Sequence, residues 1–261
     1  MRYFALAQAG LLLALTVVVA QQPPAATPPL DPSRNRLDAL LLKWQDTMQK
    51  IDTLAAKCER STLDKAFNNV DIFVGSARYM RPDMADLHMA KKNKPEVYER
   101  FLCTGTFLYE FAPATKEVRV HQLPPRKAGQ IADDNFLSFL FGMKAEEAKR
   151  RYDLQLEKED QYWIYLRIFP RYQADKADFK EAQLVLAAPT FLPRRLWFQQ
   201  PNGNEVTWEI TEIDPKARLN RNDFVMQNLQ QGWKLVQAPQ VNPGPAQGNG
   251  PPPRVVRPQG Q

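Results

Sequence analysis

"LWFQQPNGNEVTWEI", residues 196–210, carries a strong hairpin signal. Asn202-Gly203 stands between two runs of strand-forming residues, and a tight two-residue turn needs positive φ there. A turn centred on that pair sets Trp197 opposite Trp208 and Gln199 opposite Val206. Leu196 and Phe198 then share the other face with Glu205, Thr207 and Glu209. One face is strongly apolar and the other is mixed, so both are in use. The tryptophan pair is either core or the wall of a ligand site, and alternation leaves both readings open.

Similar strand signals run along most of the chain. They cover 53–67, 72–80, 97–103, 107–111, a strand starting at Val118, and 152–158, 162–169, 179–187, 194–200 and 205–213. Arg81-Pro82 breaks the second of these, and 84–89 reads as its resumption. In 162–169, Tyr162, Ile164, Leu166 and Ile168 take one face while Trp163, Tyr165, Arg167 and Phe169 take the other. Connections are short, which points to an antiparallel meander. Three stretches have helical period. The first follows capping chemistry at Asp31-Pro32-Ser33 and carries the stripe Leu37, Leu40, Leu41, Trp44, Met48 and Ile51. The second starts at Asp133, with Phe136, Leu137, Leu140 and Phe141 on its apolar side, and ends at Gly142. The third, 144–151, is strongly charged. The expected class is α+β, with about ten strands in one sheet large enough to curl. A curled sheet with helices inside its concave face can enclose an apolar cavity.

The folded part is shorter than the chain of 261 residues. Residues 1–20 read as a signal peptide: Arg2, an apolar run from Ala5 to Val19, then small residues before Gln21. The alternative is an uncleaved anchor, but polar Gln8 interrupts a run already shorter than the roughly 20 apolar residues a span needs. Residues 21–32 form a Pro-rich linker, and 238–261 a Pro/Gly-rich tail whose only charges are Arg254 and Arg257. Both have too few apolar side chains to offset the entropy of ordering, so disorder is expected in each. Residues 33–237 remain as one domain with a sizeable core. Export places the protein in the periplasm or cell envelope, with no transmembrane span after processing. The formal charge of +6 is mild. It favours anionic lipid or cell-wall polymer by long-range attraction, and export argues against nucleic acid. Cys58 and Cys103 are the only cysteines. In an oxidising compartment a bridge between them can persist, and the alternative is two buried thiols.

Chemistry is sparse. The histidines are His88 and His121, and no zinc-protease, redox, nucleophile-elbow or phosphate-loop pattern occurs. The acid pairs Asp133-Asp134, Glu146-Glu147 and Glu159-Asp160 read as a cap, a solvated face and a turn. No catalytic, cofactor-binding or metal-ligating residue is expected. Aromatic side chains on strands stand out instead. Phe101, Phe107, Tyr109, Trp163, Tyr165, Trp197 and Trp208 are the candidate cavity wall.

"GSARYMRPDMADLHM" (75–89) carries a Gly-x-φ-x-φ-x-x-Pro-x-x-φ pattern, φ being apolar, and with the order of elements around it resembles the lipoprotein carriers of the LolA/LolB type. "TGTFLYEFAPATKEVRVHQLP" (104–124), "NFLSFLFG" (135–142), "FLPRRLWFQQPNGNEVTWEITEI" (191–213) and "LNRNDFVMQNLQQGWK" (219–234) resemble their later strands, short helix, hairpin and closing segment. The closing segment lacks the family's proline. The chain resembles more closely a planctomycete family of secreted proteins of unknown function with this same body, which would explain the Pro-rich tails that the carriers usually lack. The resemblance implies a curled antiparallel sheet, an unclosed half-barrel with helices covering its concave face, that holds acyl chains or lipidated termini between sheet and helices. It implies lipid acyl chains or lipoproteins as partners and no enzymatic activity. A second reading is an envelope interaction or sensor module without lipid cargo, its Pro-rich tail recruiting a protein.

Overall fold

The computed structural model describes residues 29–123 and 144–237. The expected signal peptide, the helix at 133–141, the C-terminal tail and most of the 21–32 linker lie outside the described residues. Leu30, within that linker, already packs against the core.

The first helix, α1 (Arg36–Gln49), buries Leu40, Leu41, Trp44 and Met48, the stripe its spacing predicts. It starts later than expected. Asp31 makes a turn of its own, its side chain accepting from the backbone of Ser33 and Arg34 at 3.2 Å each. Asn35 is the true cap, accepting from the Asp38 N–H at 3.3 Å. The last turn has no basic residue of its own. Arg81 supplies one from the turn after the second strand, its Nη2 donating to the Gln49 carbonyl at 2.5 Å.

Among the described residues, twelve strands form one open sheet: β1 (Thr53–Asp64), β2 (Asn69–Met80), β3 (Met84–Lys91), β4 (Lys94–Thr104), β5 (Phe107–Ala112), β6 (Glu117–Gln122), β7 (Tyr152–Glu159), β8 (Trp163–Pro170), β9 (Glu181–Ala187), β10 (Pro193–Gln199), β11 (Glu205–Asp214) and β12 (Lys234–Gln237). Their spatial order is β12-β6-β5-β4-β3-β2-β1-β11-β10-β9-β8-β7. Two meanders therefore join where β1 pairs with β11. The sheet is the expected unclosed, curled half-barrel of an α+β protein. It exceeds the expected strand number for two reasons. The segment 84–89 does not resume β2 but folds back on it, with Met80 opposite Met84. The closing segment also adds β12 parallel to β6, which makes the sheet mixed.

Directly opposite residues share a face, so the pairing registers sort every strand. The face that meets α1 carries Leu54, Ala56 and Cys58 of β1, Ile164, Leu166 and Ile168 of β8, Leu184 of β9 and Leu196 of β10, all in one buried core. We call it the inner face. A short helix, α2 (Ala145–Arg151), packs beside α1 through two polar ties. Gln45 accepts from the Ala145 N–H at 2.7 Å, and Lys149 pairs with Asp38, 1 % exposed, at 2.7 Å. A third, α3 (Gln173–Lys176), is held by the buried pair of Asp175 with Arg151 at 2.6 Å.

The hairpin at 196–210 turns through three residues, not two. Gly203 donates to the Gln200 carbonyl at 2.9 Å, Gln200 donates to Asn204 at 2.8 Å, and Gly203 takes φ +91. Pro201 holds the first turn position with its fixed φ, and glycine follows in the left-handed region. The extra residue shifts the register by one. Leu196 opposes Trp208 and Phe198 opposes Val206, while Trp197 opposes Thr207. The two tryptophans therefore lie on opposite faces.

Candidate functional site

The seven aromatic residues of the expected cavity wall divide between the faces. Phe101 and Trp208 are on the inner face. Phe107, Tyr109, Trp163, Tyr165 and Trp197 are on the outer one, as their pairing with Gln122, Leu102, Ala187, Val185 and Thr207 requires. The inner two have company. Trp208 packs against the main core beside the half-buried Phe73, Leu87 and Phe198. Arg60, on the same face, lies between two rings, 4.7 Å from the Phe73 centroid and 5.4 Å from that of Trp208. Both its terminal nitrogens donate to Glu99 at 2.7 Å, a fork-on-fork pair. Sequence reading missed Arg60 because its partners come from β2, β4 and β11, and nothing local marks it.

The outer face has two regions. On β8–β10, the Trp197 indole donates to Glu205 at 3.3 Å, and the Lys158 ammonium sits 5.6 Å from the Tyr165 ring. Hydrogen bonds from Lys65 and then Trp197 hold the Glu205 carboxyl below its ordinary range. On β2–β6, the chain after β11 crosses over the strands. It makes a 3-10 turn at Arg221–Phe224 and buries Phe224 in a second core with Met84 and Leu102. Tyr109 packs there, with Phe107 ring-to-ring at 6.2 Å. Residues 226–230 and Trp233 then line a cleft of about 130 Å³ against Tyr98, Arg100, Leu102 and Phe111. A second cleft, of about 150 Å³, lies at the β2–β3 end between Val70 and Asn93.

Of the two readings for Cys58 and Cys103, the bridge does not form: both are free thiols, Cys58 buried and Cys103 half-buried. β2 and β3 lie between their strands, which puts them three strand spacings apart, about 14 Å. A disulfide needs Cα atoms within about 7 Å. The Cys103 thiol donates to the Asp83 carbonyl at 3.0 Å, and burial pushes the Cys58 thiol up to about 11. His88 packs edge-on to the Tyr98 ring at 5.3 Å. His121 meets Glu110 at 3.4 Å, a carboxylate that also takes Arg119 at 3.1 Å. No group of three or more metal-ligating side chains occurs among the described residues, and no described helix is long and apolar enough to cross a membrane.

No protein-family model matches the chain, and no curated protein matches it. Solved structures do. The chain is similar to an uncharacterized conserved protein from Thermus thermophilus, at TM-score 0.49 and 9% identity, over 78% of this chain and 100% of that one. It is similar to a LolA superfamily protein from Nitrosomonas europaea, at TM-score 0.36 and 12% identity, over 73% of this chain and 97% of that one. It is also similar to a chain of the MucA/MucB complex from Pseudomonas aeruginosa, at TM-score 0.41 and 12% identity, over 72% of this chain and 61% of that one.

Proposed function

We propose that the protein is a non-enzymatic component of the cell envelope that binds a lipid acyl chain or a lipidated protein on the inner face of its sheet. One observation carries this reading. Phe73, Leu87, Phe198 and Trp208 form a half-buried apolar surface on the side that holds α1, and Phe101 shares that face. A ligand site of this kind is mostly apolar with a few fixed polar groups, and the Arg60–Glu99 pair is such a point within it. Of the seven aromatic residues singled out in the sequence, only Phe101 and Trp208 belong to this wall.

The test is to purify the mature protein from an exporting host without detergent, extract it with organic solvent, and analyse the extract by mass spectrometry. Stoichiometric lipid is the expected result. Trp208→Ala should lose that lipid and Trp197→Ala should keep it. Lipid-free wild-type protein, shown to be folded, removes the proposal.

A second reading, recruitment of an envelope protein by the tail, rests on β12. Its pairing with β6 anchors the chain at one sheet edge up to Gln237. That reading expects partner capture that survives delipidation and fails when 238–261 are deleted.

A further inference from the structure

We propose that the cleft beneath the C-terminal crossing on the outer face binds the carboxylate of an acidic residue in an extended peptide. This goes beyond the lipid reading and uses the opposite side of the sheet.

The crossing is pinned at two points. Phe224, 1 % exposed, sits in the second core with its ring 5.9 Å from the Arg78 guanidinium. Trp233 meets Phe111 edge-on at 6.1 Å, and Phe111 in turn lies 5.0 Å from the Arg100 guanidinium. Between the pins, residues 226–230 leave the cleft of about 130 Å³.

Its charge is unbalanced. Asp86, 5 % exposed, takes Nε of Arg100 at 3.1 Å and Nη2 at 3.3 Å, and also pairs with Nη2 of Arg78. One buried carboxylate thus faces two guanidiniums. Among the described residues, neither arginine pairs with a second carboxylate, and Nη1 of Arg100 donates to no acceptor. Glu99, next in sequence, points to the inner face and is engaged with Arg60. A single positive charge remains, on a planar fork held from behind and stacked on a ring. That matches a carboxylate, which is planar and singly charged. A phosphate group would bring about −1.5 to −2.

Size and surroundings select a peptide. The cleft is well below the roughly 300 Å³ of a pocket that encloses a whole small ligand. It has room for one side chain, with the rest of the ligand outside. Around the opening stand the exposed side-chain amides of Gln227, Asn228 and Gln230. Residues 225–230 pair with no strand. Amides that donate and accept suit a peptide backbone, and Tyr98 and Trp233 give apolar contact to the stem of a glutamate or aspartate.

The experiment titrates the full folded chain with acetyl-Ala-Glu-Ala-amide and its Gln counterpart, followed by calorimetry and by amide NMR. The Glu peptide should bind at least tenfold more tightly than the Gln peptide and shift resonances of residues 226–233. Arg100→Gln should abolish the preference. Because that change leaves Asp86 with one partner, a second variant guards against misfolding. Asn228→Asp adds a negative charge at an exposed position, and should weaken the Glu peptide at least tenfold while leaving thermal unfolding unchanged. Equal binding of the two peptides overturns the proposal. So does Glu-peptide binding that survives both variants, or inorganic phosphate that binds the cleft more tightly than the Glu peptide. N-acetylglutamate that binds as tightly as the peptide overturns the peptide assignment.

Discussion

Gly75 gives the sharpest test of how the first meander is built. It lies on β2 opposite Met89 of β3, on the inner face. A Cβ built there would stand 1.9 Å from the His88 carbonyl oxygen and 2.8 Å from the Met89 Cα, both backbone atoms that no rotamer change can move. Reaching ordinary van der Waals separation from 1.9 Å requires the two strands to part by roughly 1.5 Å. Ladder bonds of about 2.9 Å beside it then stretch past the hydrogen-bonding limit. Two such bonds are worth about 1 kcal/mol each when exchanged for water, and more when left buried. Forced overpacking adds about 1–3 kcal/mol. Gly75→Ala should therefore cost about 3–5 kcal/mol. With a urea m-value of about 2 kcal/mol/M, the midpoint falls by roughly 2 M. The control is Gly203→Asn. That position takes φ +91 and its Cβ meets nothing within 4 Å, and asparagine tolerates the left-handed region, so stability should change by less than about 1 kcal/mol. A Gly75→Ala midpoint within about 0.3 M of wild type would refute this packing.

Three further predictions test other parts of the structure. In double-mutant cycles by urea unfolding, Trp208 and Leu196 should couple by about 0.2–1 kcal/mol as a cross-strand pair. Trp197 and Trp208, on opposite faces, should be additive, and measurable coupling between them would restore the two-residue turn. Asp175→Ala leaves the Arg151 guanidinium without its buried carboxylate and should cost about 3–5 kcal/mol in chemical denaturation. The Cys58 thiol, raised by burial from 9.0 to about 11, should carry about a hundredfold less thiolate than a model thiol at pH 8. Iodoacetamide should label it correspondingly slowly. Because the folded value is the higher one, this thiol's contribution is intact below pH 9.0 and declines as the pH rises through about 11. Rapid labelling of Cys58 at pH 8 contradicts its burial.

Much of the candidate site was hidden from the sequence for one reason: strand alternation says which residues share a face, but not which face. Trp208 and Trp197 both read as strand aromatics, and one residue of turn length decided which of them meets the core. Pro201 was the available clue, since proline at the first position favours a three-residue turn that ends at Gly203. Arg60 gave no clue at all. Its two rings and its carboxylate come from three other strands, 13 to 148 residues away in sequence. The same is true of Arg78, Asp86 and Arg100, which only the β2–β3–β4 register brings together.

The local sequence determined the elements themselves. The stripe from Leu37 to Ile51 makes an amphipathic helix wherever it is placed, because period and side-chain direction are properties of the helix alone. The alternating runs make strands, and the short polar links between them make meanders. Tertiary structure decided what depends on pairing distant segments. The junction of β1 with β11 joins two meanders into one sheet, and β12 adds in parallel beside β6. The cysteines end up three strands apart, and the outer face gains its covering segment. These outcomes follow from the sum of many weak contacts across the whole sheet. No window of a dozen residues contains both partners of any one of them.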